Sequence, residues 1–167
     1  MNVINIQHLK ITIGARNLLN LKNLQVQEGQ RIGIVGKNGS GKTTLFKALL
    51  GEIETDVSNF LTNGRLSMLP QLKQTDTFKS GGEVSQDYIV YILNQSPNVL
   101  LADEPTTNLD TSHVEWVEKK LQTFSGTILL ISHDRTLLDN ICDTIWELED
   151  GQIIEYSGNY SDYIEQK

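Results

Sequence analysis

Three continuous apolar runs set the framework of this chain: Ile32-Gly33-Ile34-Val35, Val99-Leu100-Leu101-Ala102 and Thr127 to Ile131. Runs of this length, each followed by polar residues, predict strands buried on both faces. Residues 3–13, VINIQHLKITI, are instead β-branched and partly alternating, and Leu24 to Val26 predicts another short strand before the Glu28-Gly29 turn. Together these predict an antiparallel β-subdomain leading into the Ile32 strand, with His8 as a plain strand residue.

Helical patterns fill the intervals. Leu45 to Leu50 reads as a helix stopped by Gly51, residues 52–64 as a polar connection, and Arg65 to Leu69 as a strand ending at Pro70-Gln71. Residues 72–79 form a short linker. Ser80 and Glu83 fit a capping box opening a helix to about Gln95, with Val84, Tyr88 and Ile92 on one face. Pro97 ends that helix. From Thr111 a second stripe runs through Val114, Val117, Leu121 and Phe124 until Gly126 breaks it. A short helix through Leu137, Leu138 and Ile141 precedes Ile145 to Leu148, the Asp150-Gly151 hairpin turn and Ile153-Ile154. From Ser161 the chain reads as the first turns of another helix. Strands alternating with helices predict an α/β fold that binds ligands along the C-terminal edge of its sheet.

Size and composition leave this picture intact. The 167 residues suit one domain, and 38% hydrophobic with 21% charged residues is ordinary for a soluble globular protein. No apolar run approaches the roughly 20 residues that span a bilayer, and MNVINIQHLK lacks the pattern of a secretory leader, so the expected location is cytoplasmic. Cys142, the single cysteine, has no thiol partner and is expected to be a small buried apolar residue. The net charge of −7 argues against a nucleic-acid surface over the whole domain. The balance is uneven, however: residues 1–79 hold 10 Lys/Arg and 5 Asp/Glu, and residues 80–167 hold 4 and 16, so a polyanion contact favours the first half.

The chemistry gathers after the strands. GKNGSGKTT, Gly36 to Thr44, fits G-x-x-x-x-G-K-[ST] through Gly36, Gly41, Lys42 and Thr43, with a strand before it and a helix after it. A Gly-rich turn that only joins the two is the competing reading, and the flanks decide against it. Backbone N–H groups of such a P-loop curl around phosphate oxygens beside a helix N-terminus, so Gly36, Asn38, Gly39, Ser40, Gly41, Lys42, Thr43 and Thr44 are the candidate nucleotide-binding residues. Lys42 reaches the β- and γ-phosphates, and the Thr43 hydroxyl is a candidate Mg²⁺ ligand. Asp103, the first carboxylate after an apolar strand, is placed to hold Mg²⁺ directly or through water. Glu104 is the candidate general base for the attacking water. Gln71 offers a carbonyl oxygen to Mg²⁺ or its water, and His133 a donor to the γ-phosphate. His113 is read as structural, and Ser132 beside His133 lacks the G-x-S-x-G elbow of a nucleophile. Ser80-Gly81-Gly82 exposes backbone N–H groups at a helix start and forms a second phosphate-binding edge, whose natural use is head-to-tail pairing of two such domains.

GKNGSGKT, Gln71, SGGE, LLADEP, TTNLD through Asp110, and ISHDR, in that order, resemble the Walker A, Q-loop, signature, Walker B, D-loop and H-switch of an ATP-binding cassette. The resemblance covers almost the whole chain. It implies a P-loop NTPase fold with an N-terminal antiparallel β-subdomain, ATP and Mg²⁺ as ligands, and closure of two cassettes around two nucleotides. Within the superfamily SGGE, ISHDR and the tail GNYSDYIEQK resemble the first cassette of an ABC-F protein, and the short connection before KSGGEVS most resembles the Vga-type resistance subgroup. That implies residues 1–160 as the cassette and 161–167 as the lead-in to a linker helix. It also implies a second cassette in a longer parent chain, and action on the ribosome in antibiotic resistance by ribosomal protection. Weak ATPase activity is expected of the isolated domain, which could also pair as a head-to-tail homodimer. The alternative is the ATPase subunit of an ABC membrane transporter.

Three departures bear on these implications. Only nine positions separate Gln71 from Ser80, so the helical subdomain is nearly absent, and with it the surface that engages membrane subunits. Lys79 stands where the family commonly has Leu. Ile13 occupies the place where an aromatic usually stacks on adenine, which opens the site to GTP.

Overall fold

The computed structural model describes residues 1–72 and 85–167. β1 (Asn2–Ile13) and β2 (Arg16–Gln27) form a long antiparallel hairpin in which Ile13 faces Arg16 across the Gly14-Ala15 turn. The second strand is therefore much longer than Leu24 to Val26. β3 (Arg31–Val35) follows, then α1 (Lys42–Leu49). β4 (Val57–Thr62) returns to the free edge of β1 and pairs with it antiparallel, giving the sheet order β2-β1-β4. This corrects the expectation of a polar connection over residues 52–64. β4 carries one half-buried residue, Phe60, and is held by backbone pairing, so its sequence has no apolar alternation to announce it.

The second sheet is built from β5 (Leu66–Met68), β6 (Val99–Asp103), β7 (Thr127–Ile131), β8 (Thr144–Glu149) and β9 (Gln152–Ser157) around β3. Its order is β5-β6-β7-β3-β8-β9, parallel throughout except for the β8–β9 hairpin. Alternate residues of the apolar strands divide between two cores, because successive strand side chains point to opposite faces. Leu101, Leu129, Ile131, Trp146 and Leu148 pack with α1 and the three-stranded sheet. Leu100, Ala102, Ile128, Leu130 and Ile145 pack in the other core, with α2 (Gln86–Asn94), α3 (Thr111–Thr123), α4 (Arg135–Ile141) and α5 (Tyr160–Gln166).

Two helix expectations change. α2 has Ser85 as its N-cap, accepting the Tyr88 N–H at 3.2 Å, whereas the expected start at Ser80 and Glu83 lies outside the described residues, as does Val84. Its buried residue is Ile89, with Leu93 packed beside it, while Tyr88 is 48% exposed. Tyr88 to Leu93 is apolar all round, so periodicity cannot choose the face, and the Leu72, Val117 and Leu121 neighbourhood does. Cys142 is buried as expected, and burial pushes its thiol up to about 12, which leaves it unreactive.

Candidate functional site

The loop from Gly36 to Gly41 leaves β3 at the edge where β5, β6 and β7 also end, since these strands are parallel. Its two outer glycines are sterically required. A Cβ on Gly36 would lie 2.6 Å from the Leu148 carbonyl oxygen, and Gly41, at φ +106°, would drive one to 2.9 Å from Leu19 Cδ2. The loop is thereby pressed against β8 and β2. α1 then begins with no side-chain cap, whereas Ser85, Asp110, Asp134 and Asn159 cap α2, α3, α4 and α5. An uncapped helix start leaves N–H donors and a positive dipole end for an anion. Beside it the Ser40 hydroxyl is buried without a hydrogen-bond partner.

Lys42 is 9% exposed and donates to the carbonyl oxygens of Gly36 at 2.6 Å and Lys37 at 3.2 Å. Burial pushes its ammonium pKa down, opposed by the charges of Glu104 and Asp103. The Lys42 cation is thus folded back over the loop with two carboxylates near. Asn38 and Gly39 are exposed at the loop tip, and Thr44 is half-buried in the first turn of α1.

Five side chains, Thr43, Asp103, Gln71, Glu104 and His133, converge there. Thr43 Oγ1 donates to Asp103 Oδ2 at 2.8 Å. The Gln71 amide nitrogen donates to the backbone oxygens of Asp103 at 2.9 Å and Glu104 at 3.2 Å, bonds that use its nitrogen and not its carbonyl oxygen. Glu104 adopts a left-handed φ of 49°, and its N–H donates to Ile131 O at 2.8 Å, locking the end of β6 onto β7. Its carboxylate then meets His133 twice, Oε1 lying 3.3 Å from Nε2 and Oε2 accepting the backbone N–H at 3.4 Å. Ser132 Oγ accepts the Asp134 N–H at 2.9 Å, a local turn contact rather than a nucleophile's geometry. His113 Nδ1 lies 2.6 Å from Asp110 Oδ1 at the start of α3, a structural role as expected. Ser80, Gly81 and Gly82 lie outside the described residues.

A cleft of about 860 Å³ runs beside the loop. Its walls include Arg16, Asn17 and Leu18 from the hairpin, His133 and Arg135, and Tyr160, Tyr163 and Lys167 from the C-terminal segment. Sequence reasoning missed Arg16. Its Nη2 donates to Gly39 O at 3.3 Å across 23 positions, and no local pattern signals such a contact. Ile13 is 61% exposed and does not line the cleft.

The family described as ABC transporter matches residues 19–77. The chain is 31% identical over 171 residues to the erythromycin resistance ATP-binding protein MsrA of Staphylococcus epidermidis, covering 89% of this chain and 35% of that protein. It is 34% identical over 166 residues to the ribosome protection protein VmlR of Bacillus subtilis, covering 85% and 30%. The chain therefore spans about a third of the length of these curated relatives. Among solved structures, the archaeal ribosome recycling factor aABCE1, in complex with the stalk protein aP1, superposes with a TM-score of 0.79. That likeness covers 99% of this chain and 42% of the other at 20% identity, and it speaks to fold alone. Among the described residues no helix is long and apolar enough to cross a membrane.

Proposed function

Because this chain belongs to the ATP-binding cassette family and its relatives are ABC-F proteins, we propose that it binds and hydrolyses ATP as one half of a twin-cassette protein acting on the ribosome. The observation that carries the reading is the convergence of Thr43, Gln71, Asp103, Glu104 and His133 beside an uncapped helix start. The loop N–H groups and Lys42 bind the phosphates, and the orphan Ser40 hydroxyl gains a partner there.

The residues also fit Mg²⁺. Thr43, Asp103 and the Gln71 carbonyl are all oxygen donors, and no cluster of three or more His, Cys, Asp or Glu that could hold a metal occurs among the described residues. A hard cation held by one carboxylate and a hydroxyl relies on substrate phosphates and water for its other positions. Once bound, it would neutralise charge on the terminal phosphates.

Glu104 orients the attacking water and accepts its proton, held in place through His133 and its own left-handed backbone. His133, 62% exposed on the cleft side, donates to the terminal phosphate. Residues 1–160 form the cassette and 161–167 lead into the connection to a second cassette. Ser80-Gly81-Gly82 closes over the nucleotide of that partner. The names of MsrA and VmlR support antibiotic resistance by ribosomal protection as the role of the whole protein, a role that would be carried out in the cytoplasm.

The test is ribosome co-sedimentation of the twin-cassette parent carrying Glu104→Gln and the matching change in its second cassette. ATP-dependent pelleting with ribosomes is expected. Fractionation with an integral membrane partner instead would favour a transporter ATPase.

A further inference from the structure

Two parts of the cleft wall differ in chemistry. Near one, His133 meets Glu104 at 3.3 Å and Arg135 lies 5.8 Å from the Tyr160 ring centre. The other is formed by Arg16, Asn17 and Leu18. The carboxylate cluster touches the phosphate loop at Thr43, while Arg16 touches it at Gly39. Groups suited to a terminal phosphate therefore gather near His133, and a nucleotide seated that way extends its ribose and base toward Arg16.

The Arg16 part of the wall has no aromatic platform. Apart from the His133 imidazole beside Glu104, the rings lining the cleft among the described residues are Tyr160 and Tyr163, both on α5 and on the side of Arg135. Ile13, across the hairpin from Arg16, is 61% exposed and outside the lining. Arg16 does line it, and its contact with Gly39 O holds a planar guanidinium at the cleft wall, which reduces the entropy lost when a ligand is engaged.

We propose that Arg16 is the base-binding residue, its guanidinium stacking on the purine of a nucleoside triphosphate whose phosphates occupy residues 36–44. The proposal rests on the reading of that loop as a phosphate site. Stacking on a π-face carries no hydrogen-bond code, so adenine and guanine are accepted alike.

The experiment compares binding of ATP, GTP and inorganic tripolyphosphate, each with Mg²⁺, to this chain and to its Arg16→Ala and Arg16→Lys variants by calorimetry. Arg16→Ala is expected to weaken ATP and GTP by a similar factor, about three- to fivefold for an exposed cation–π contact. Tripolyphosphate, which has no base, should bind as before, and that retention also reports an intact loop. Arg16→Lys should not rescue, because it keeps the charge and loses the plane. Tripolyphosphate weakening in step with the nucleotides, or rescue by lysine, would overturn the proposal in favour of a phosphate contact. Unchanged ATP and GTP affinity would overturn it too. If the unsubstituted chain binds none of the three, the phosphate-site reading falls and the Arg16 assignment with it.

Discussion

Thr43 donates a 2.8 Å hydrogen bond to Asp103, joining the first turn of α1 to the end of β6 across 60 positions of sequence. A hydroxyl and a carboxylate at that distance can turn together toward one cation without rebuilding either element. Chelation of Mg²⁺ is therefore expected to weaken ATP binding to the unsubstituted chain by at least roughly tenfold, and Thr43→Ala or Asp103→Asn to remove most of that dependence. Fluorescent-nucleotide titration with and without EDTA checks this. Full magnesium dependence in both variants would dissociate the pair from metal binding.

Lys42 donates its ammonium protons to two loop carbonyls. Lys42→Met keeps much of the buried stem and deletes the charge, so the melting temperature should change little. Triphosphate affinity should fall roughly ten- to a hundredfold, the size of a lost charge-assisted hydrogen bond. Equal affinity in calorimetry would remove Lys42 from the site.

Gly41 combines φ +106° with a Cβ position 2.9 Å from Leu19 Cδ2. Gly41→Ala is expected to cost about 1–3 kcal/mol of stability, through backbone strain and overpacking against β2. Urea unfolding of the two chains measures it. A neutral substitution would mean that the loop is not pinned by β2.

Glu147 is buried on β8, accepting hydrogen bonds from Tyr163 Oη and from Lys167 Nζ, the latter at 2.7 Å. Burial pushes its carboxyl pKa up, but the bonds from Lys167 and Tyr163 outweigh that and hold it below the ordinary value. A depressed carboxylate contributes stability above its unfolded pKa and loses it as pH falls through the folded one. Lys167→Ala should therefore lower the melting temperature most at neutral pH, with the gap closing under acid as Glu147 protonates in both chains. A gap independent of pH between 7 and about 3 would exclude the ion pair as its cause.

The segment from Gly36 to Thr44 and the runs at Ile32, Val99 and Thr127 were readable in one dimension, because strand periodicity and glycine spacing are local properties of the chain. So were the placement of Asp103-Glu104 and His133 after strands, and hence the sheet edge at which the proposed site lies. Only the tertiary structure decided that Val57–Thr62 is a strand, since an edge strand can be held by backbone bonds to β1 that its side chains do not encode. Packing likewise chose Ile89 over Tyr88 as the buried face of α2, a helix apolar on every side. The contacts Thr43–Asp103, Glu104–His133 and Arg16–Gly39 belong to the same class. Each joins residues tens of positions apart, and their distances are set by which strands lie adjacent, a choice made by the two cores together rather than by any one segment.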